Sequence, residues 1–413
     1  MKAKNVIAVS VLCIILGTVV GACLMTLVYC IPTKVIEANV KKSAAIIEQE
    51  GLYPELTRYA TSYLDNWTDS IMLAEAAHPN YGPAYQDAMQ VYRYVASEQP
   101  DESLVIWAKT GEYVYETSYP QYWHGYLLFL KPLLTVMDLS GIRLLNGIFQ
   151  TVLTFGIAAL LWLNNKKRYI LPWIISMAML MPLAQAKCLQ FSSCYYVFAL
   201  SAVMILLLKN RANLFLVFLW AGIATASFDF LTYPVSTFGI PAVFYLIRYS
   251  EDKSKSNLQT LAGYFLVWAA GYGLMWAGKL LAGSLLTGIN YLEEANGHVG
   301  QWFDGDRWFS VGRVFYLNVR DFIYTPVTLL AFVYAALMGV VLYRNRGFLS
   351  ALYLRALPFL LLAVFPFLWY LFLFNPSGIH HFFTNKACVV TSFSLLSMLA
   401  AFLPEKQLPA GNE

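Results

Sequence analysis

Residues 5–30 read NVIAVSVLCIILGTVVGACLMTLVYC, 26 positions without one charged side chain. A bilayer's hydrocarbon core is about 30 Å thick, and a helix rising 1.5 Å per residue needs about 20 apolar residues to cross it. No water is available in that core to satisfy peptide groups, so the run must be a helix. It carries no convincing small-residue cleavage site. "VGAC" at 20–23 only faintly resembles a lipobox, so the run reads as an uncleaved first span.

Working outward, nine further runs follow the same logic: 142–163, 169–186, 190–208, 212–228, 232–248, 258–282, 323–343, 349–373 and 384–403. Hydrophobic residues make up 59% of the chain, charged ones 13%, and the mean hydropathy is +0.55. Soluble domains hold about 45–50% apolar residues, so the chain is expected to be an all-α polytopic membrane protein with about ten transmembrane helices. Lys2 and Lys4, "KKR" at 166–168, "KNR" at 209–211, "RYSEDKSK" at 248–255, "YRNR" at 343–346 and Lys406 fall on alternate connections. The positive-inside rule then puts both termini in the cytoplasm, in the cell membrane. The expected plan is one membrane domain over 1–413. It has a first span at 5–30, an extracytoplasmic loop at 31–122, a re-entrant segment and the other spans over 123–403, and a cytoplasmic tail at 404–413. The net charge of +4 is spread over inner connections, which gives nucleic-acid binding no support. Cys188 and Cys194 flank an outer turn, where a disulfide is one option.

The outer loop is acidic on a basic protein, with 13 Asp and Glu against six Lys and Arg over 31–122. Val35, Ile36, Val40, Ala44 and Ile47 recur on one face and stop at Gly51, the pattern of an amphipathic helix at the interface. A second helix is expected over "TDSIMLAEAA", N-capped by Thr68 or Asp69, and a third over 84–97. "SYPQYWHGYLLFLKPLL" at 118–134 is too interrupted to span and reads as re-entrant or interfacial. No internal repeat of the transporter kind is present. The loop's 11 tyrosines fit an interfacial belt better than a sugar-stacking surface.

A first span, a long outer loop with helices along the membrane, then many spans on short loops resembles the GT-C superfamily of integral membrane glycosyltransferases. "YWHGYLLFLKPLL", "FDFLTYPVSTFGIP", "WAAGYGLMWAGK" and "IHHFFTNK" are similar to stretches of its bacterial members that use polyprenyl-phosphate-sugar donors. The resemblance implies transfer of a sugar from such a donor to a cell-envelope glycan, lipid or protein acceptor on the extracytoplasmic side. It also implies an acidic catalytic base early in the first outer loop, where "LDNWTDSIML" at 64–73 stands. The chain departs from the pattern at its last outer turn, where His380 is followed six residues on by Lys386 in place of Arg. Lysine keeps the charge but loses the two-pronged grip on phosphate.

That chemistry needs a base for the acceptor proton and cations for the departing phosphate. Asp69, and next Asp65, are the candidate bases, with helix capping as the plain alternative. His380, Lys386, Lys279, His124, Asp229 and Arg307 are the candidate substrate and phosphate contacts, expected to share one outward cavity with the two carboxylates. Four of them have a plainer reading: a structural histidine at 124, a snorkelling lysine at 279, a helix cap at 229 and a solvated loop charge at 307. The metal is left open; a divalent cation such as Mg or Mn suits carboxylate oxygens, yet no dense ligand cluster stands on the outer side. A transporter or flippase of lipid-linked saccharides, or a receptor or scaffold with an acidic outer loop, are the competing classes.

Overall fold

A helix with apolar side chains on every face can be satisfied only by lipid or by other helices, and both solutions occur here. The computed structural model describes residues 3–249, 256–293, 309–344 and 349–403. Among them, seven helices are long and apolar enough to cross a membrane: Lys4–Tyr29, Leu139–Leu163, Leu189–Leu207, Arg211–Phe228, Asn257–Thr287, Val327–Arg344 and His381–Ala401. The protein is a multi-pass helical membrane protein. The first of these, α1 (Ala3–Tyr29), keeps Ile7, Leu12, Leu16 and Leu27 exposed, as a lipid-facing helix does.

Of the three remaining apolar runs, two are built differently from the expectation of one span each. Run 169–186 breaks at Met181, whose φ is +55°, into α8 (Ile170–Met179) and a short α9 (Pro182–Lys187). Proline at 182 starts a new helix but cannot continue the old one. Run 232–248 is α12 (Ser236–Tyr249), 14 residues or about 21 Å, buried from Ser236 through Ile247. It is an internal helix, hydrophobic all round because other helices surround it. Run 349–373 is a helix from Leu349 to Phe372 with prolines at 358 and 366.

The spans pack through small residues. In α11 (Leu214–Phe228) and α13 (Ser256–Thr287), a side-chain carbon on Gly271 would lie 2.6 Å from the Leu219 carbonyl oxygen. Without lipid-excluding pressure between helices, such close backbone approach supplies the dispersion that holds them.

The segment between α1 and α7 (Leu139–Leu163) caps one end of this bundle. Helix α2 (Thr33–Glu50) buries Ile36, Val40, Ala44 and Ile47 against α3 (Asn66–Ala77), α5 (Pro100–Thr110) and α7. Val35, expected on that face, points outward at 53% exposure. Gly51 ends α2 at φ +79°. The helix expected over 84–97 is corrected: α4 (Ala84–Gln90) stops at Val91, left-handed with φ +51°, and β1 (Tyr92–Val95) follows. It pairs antiparallel with β2 (Tyr115–Ser118), Tyr92 opposite Ser118. The Tyr-Arg-Tyr-Val run has strand propensity, and the alternation overrode the weak helical stripe. Helix α6 (Leu127–Leu134), eight residues long, is the interrupted stretch that feeds α7.

Candidate functional site

The N-terminal turn of α3 carries both candidate carboxylates, and they do different things. Asp65, not Thr68 or Asp69, is the N-cap: it accepts from the Thr68 amide at 3.2 Å and the Thr68 hydroxyl at 2.8 Å. The Gln190 side-chain amide also donates to it. Four residues on, Asp69 reaches across to the start of α10 (Leu189–Leu207). Its two oxygens accept from the Leu189 amide at 3.0 and 3.1 Å, and the Cys188 thiol donates at 3.6 Å. A helix N-terminus is an anion site, so α10 holds a carboxylate where the chain offers one. Cys188 and Cys194 are both free thiols, and no disulfide ties the turn.

Arg143 on α7 completes the cluster. It donates to Glu50 at 2.7 and 2.8 Å and to the Asn66 side-chain oxygen at 3.2 Å, and it stands 4.0 Å from Asp69. Its Nε has no partner. Burial pushes Asp69 up to about 7; the Arg143 charge and the Leu189 and Gln190 amides pull it back, and Asp65 pushes it up. Burial also raises Asp65, to about 6, against the hydrogen bonds from Thr68, Trp67 and Gln190. A carboxylate that titrates near neutral pH is suited to take and return a proton.

Beside this cluster a groove of about 890 Å³ runs between α7 and α8–α9. Glu50, Arg143 and Lys187 supply charge at its wall, whereas Leu144, Ile148, Val152 and Phe155 are 51–68% exposed along its length. Asp69 does not line it; it lies one layer behind Arg143.

Among the described residues, the other predicted groups each have partners of their own. Lys386 is the nearest: its Nζ donates to the Thr61 carbonyl at 2.8 Å, four residues before Asp65, and sits 4.5 Å from the Phe191 ring centre. The His380 ring stacks on Phe383, while His381 is the one that meets a carboxylate, its Nδ1 standing 2.5 Å from Asp321. Asp229 accepts from the Thr232 amide and hydroxyl as a local cap. His124 is locked between Glu75 at 3.2 Å, the Tyr126 hydroxyl at 2.9 Å and the Tyr119 carbonyl at 2.6 Å. The Lys279 ammonium donates to the Met89 carbonyl at 2.7 Å, under Trp123. Arg307 lies outside the described residues. Of the described ones, none lines the groove.

Sequence reasoning passed over Arg143, Glu50 and Glu75. Arg143 had a usable signal: it is a lone cation inside the apolar run 142–163, and a charge in a span flags function by default. Glu50 and Glu75 had none, because each stands on a helix whose acidic residues look alike in one dimension. Among the described residues no group of three or more His, Cys, Asp or Glu is placed to hold a metal ion. Compared with family models, curated proteins and solved structures, the chain matches none of them.

Proposed function

We propose that this protein is a membrane glycosyltransferase that moves a sugar from a polyprenyl-phosphate donor to a cell-envelope acceptor, with Asp69 as general base. The acceptor hydroxyl oxygen attacks the anomeric carbon as the carbon–oxygen bond to phosphate breaks. The electron pair of that bond leaves with the lipid phosphate, and the hydroxyl proton passes to Asp69. The observation that carries this reading is the pairing of Asp69, pushed up to about 7, with a cation 4.0 Å away at the wall of an apolar groove. A base, a cation for phosphate and a channel for a lipid tail are the three parts the reaction needs. The active site would face the extracytoplasmic side, with both termini cytoplasmic, as the distribution of Lys and Arg implies.

One observation favours a transporter or flippase of lipid-linked saccharides instead: Asp69 is fully buried behind Arg143, whereas the groove needs only its cations and apolar wall to hold a lipid. Incubating purified protein with radiolabelled polyprenyl-phosphate sugars separates the two. The transferase releases free lipid phosphate and Asp69→Asn abolishes the release; movement of intact donor across a vesicle membrane without release overturns the transferase reading.

A further inference from the structure

We infer that the groove between α7 and α8–α9 binds a bilayer lipid bearing a phosphate headgroup, that Arg143 and Lys187 hold the phosphate, and that Glu50 occupies Arg143 until the lipid arrives. Arg143 is buried, at 6% exposure, yet its Nε has no partner, and an arginine stripped of water keeps its donors filled unless a ligand completes them. Glu50 holds only one edge of the guanidinium, through both of its oxygens on a single nitrogen. Glu50 is also the more exposed partner, at 22% against 6%, so it is the group able to swing away. A phosphate entering the groove offers oxygens to the same donors, and Lys187 on the groove wall adds a second positive charge.

The groove's length says what else the ligand carries. Leu144, Ile148, Val152 and Phe155 lie at 68%, 51%, 62% and 62% exposure on consecutive turns of α7, a helix long enough to cross the membrane. Ile148, Val152 and Phe155 are spaced four and three residues apart, so they form one stripe along the helix. An apolar stripe inside the bilayer leading to two cations fits an extended hydrocarbon chain with an anionic head. A soluble phosphate would use the cations and leave the stripe idle. The inference rests on the transferase reading only for the sugar; the binding itself is read without turnover.

The test is equilibrium binding to the full-length protein in nanodiscs, using a fluorescent short-chain polyprenyl phosphate. Neutral polyprenol and inorganic phosphate serve as competitors. Polyprenol should compete at least about tenfold less well and inorganic phosphate weaker still, since each lacks one half of the contact. Glu50→Gln should tighten binding several-fold by releasing Arg143, and Arg143→Lys should weaken it about tenfold or more. Val152→Trp, at an exposed position on the stripe, should block the chain path and weaken binding about tenfold while leaving both cations in place. Equal competition by polyprenol, no tightening in Glu50→Gln, or unchanged binding in Val152→Trp each overturns the inference. Binding that follows this pattern in a protein that releases no lipid phosphate keeps the groove and removes the transferase reading. Sugar transfer that survives the loss of groove binding does the reverse.

Discussion

Helix α3 buries a carboxylate at each end, and the two ends have opposite fates. Asp69 in the first turn sits beside Arg143, which reaches the groove. Glu75, six residues on, is sealed. One of its oxygens takes the Tyr126 hydroxyl and His124, and Tyr119, Tyr122, Tyr126 and Phe230 pack around that histidine. His124 itself has φ +53°, a conformation that costs a side-chain-bearing residue about 1–3 kcal/mol and persists only where surroundings enforce it. Burial alone therefore does not suit an acid to the proposed transfer. What separates Asp69 from Glu75 is a neighbouring cation with a route to the membrane.

The largest effect that tests this contrast is on turnover. Asp69→Asn keeps size and hydrogen-bonding capacity but removes the proton acceptor, so sugar transfer should fall about 100-fold or more while donor binding holds. Asp65→Asn should cost much less, because asparagine still caps α3. If Asp65→Asn is the inactive variant and Asp69→Asn retains full turnover, the two roles are exchanged. Full turnover in both reduces the pair to structural anchors.

Glu75 should answer in stability instead. Glu75→Ala strips the Tyr126 hydroxyl and His124 Nδ1 of a shared partner inside a closed aromatic cage, which should cost roughly 2–4 kcal/mol. A lowered Tm with normal turnover per folded molecule is the expected result. Normal Tm with lost turnover would make Glu75 the reacting acid and reverse the contrast.

Much of this was legible in one dimension. Eight of the ten apolar runs are helices of 18 residues or more, and the amphipathic pattern of 35–47 placed the buried face of α2 correctly apart from Val35. "LDNWTDSIML" held the paired carboxylates. What the pattern did not carry was who stands opposite. The different partners of Asp65 and Asp69 come from the 188–190 turn, a contact across about 120 residues that no local periodicity encodes. His380 and Lys386 read as a phosphate clamp because charge near a span signals function; the fold adds their partners, the Thr61 carbonyl and Phe191 ring for Lys386 and the Phe383 ring for His380. Val91 misled for a different reason: a left-handed residue ends a helix without the glycine that usually announces it.

The contrast sharpens further with pH. Transfer through Asp69 requires its carboxylate, so the rate should rise with pH through about 7. Arg143 pulls that value down by favouring the charged form, so Arg143→Gln should move the midpoint to higher pH as well as lower the maximum. The stability sign is opposite. Asp69 is raised above an unfolded value near 3.8, so its contribution is intact below that value and is lost as pH rises through about 7. Measured in the same buffers, turnover should climb where Tm declines; a midpoint that Arg143→Gln leaves unmoved would disconnect the arginine from the base.

The smallest expected effect concerns Lys386, a third buried ionisable group that neither reaches the groove nor meets a carboxylate. Its ammonium donates to the Thr61 carbonyl at 2.8 Å and faces Phe191, so it ties the stretch before α3 to the last span. Lys386→Met keeps the length and apolar stem. It strands the Thr61 carbonyl, at about 1–3 kcal/mol, but it also removes a charge that is expensive to keep out of water. The two nearly cancel, so Tm should move by no more than about 2 °C and donor affinity should not change. That outcome is compatible with the proposed phosphate contacts on α7 and α9. A loss of donor affinity of about tenfold in Lys386→Met, with Tm held, would instead restore the last outer turn as the phosphate contact and leave Arg143 as a partner of Glu50 alone.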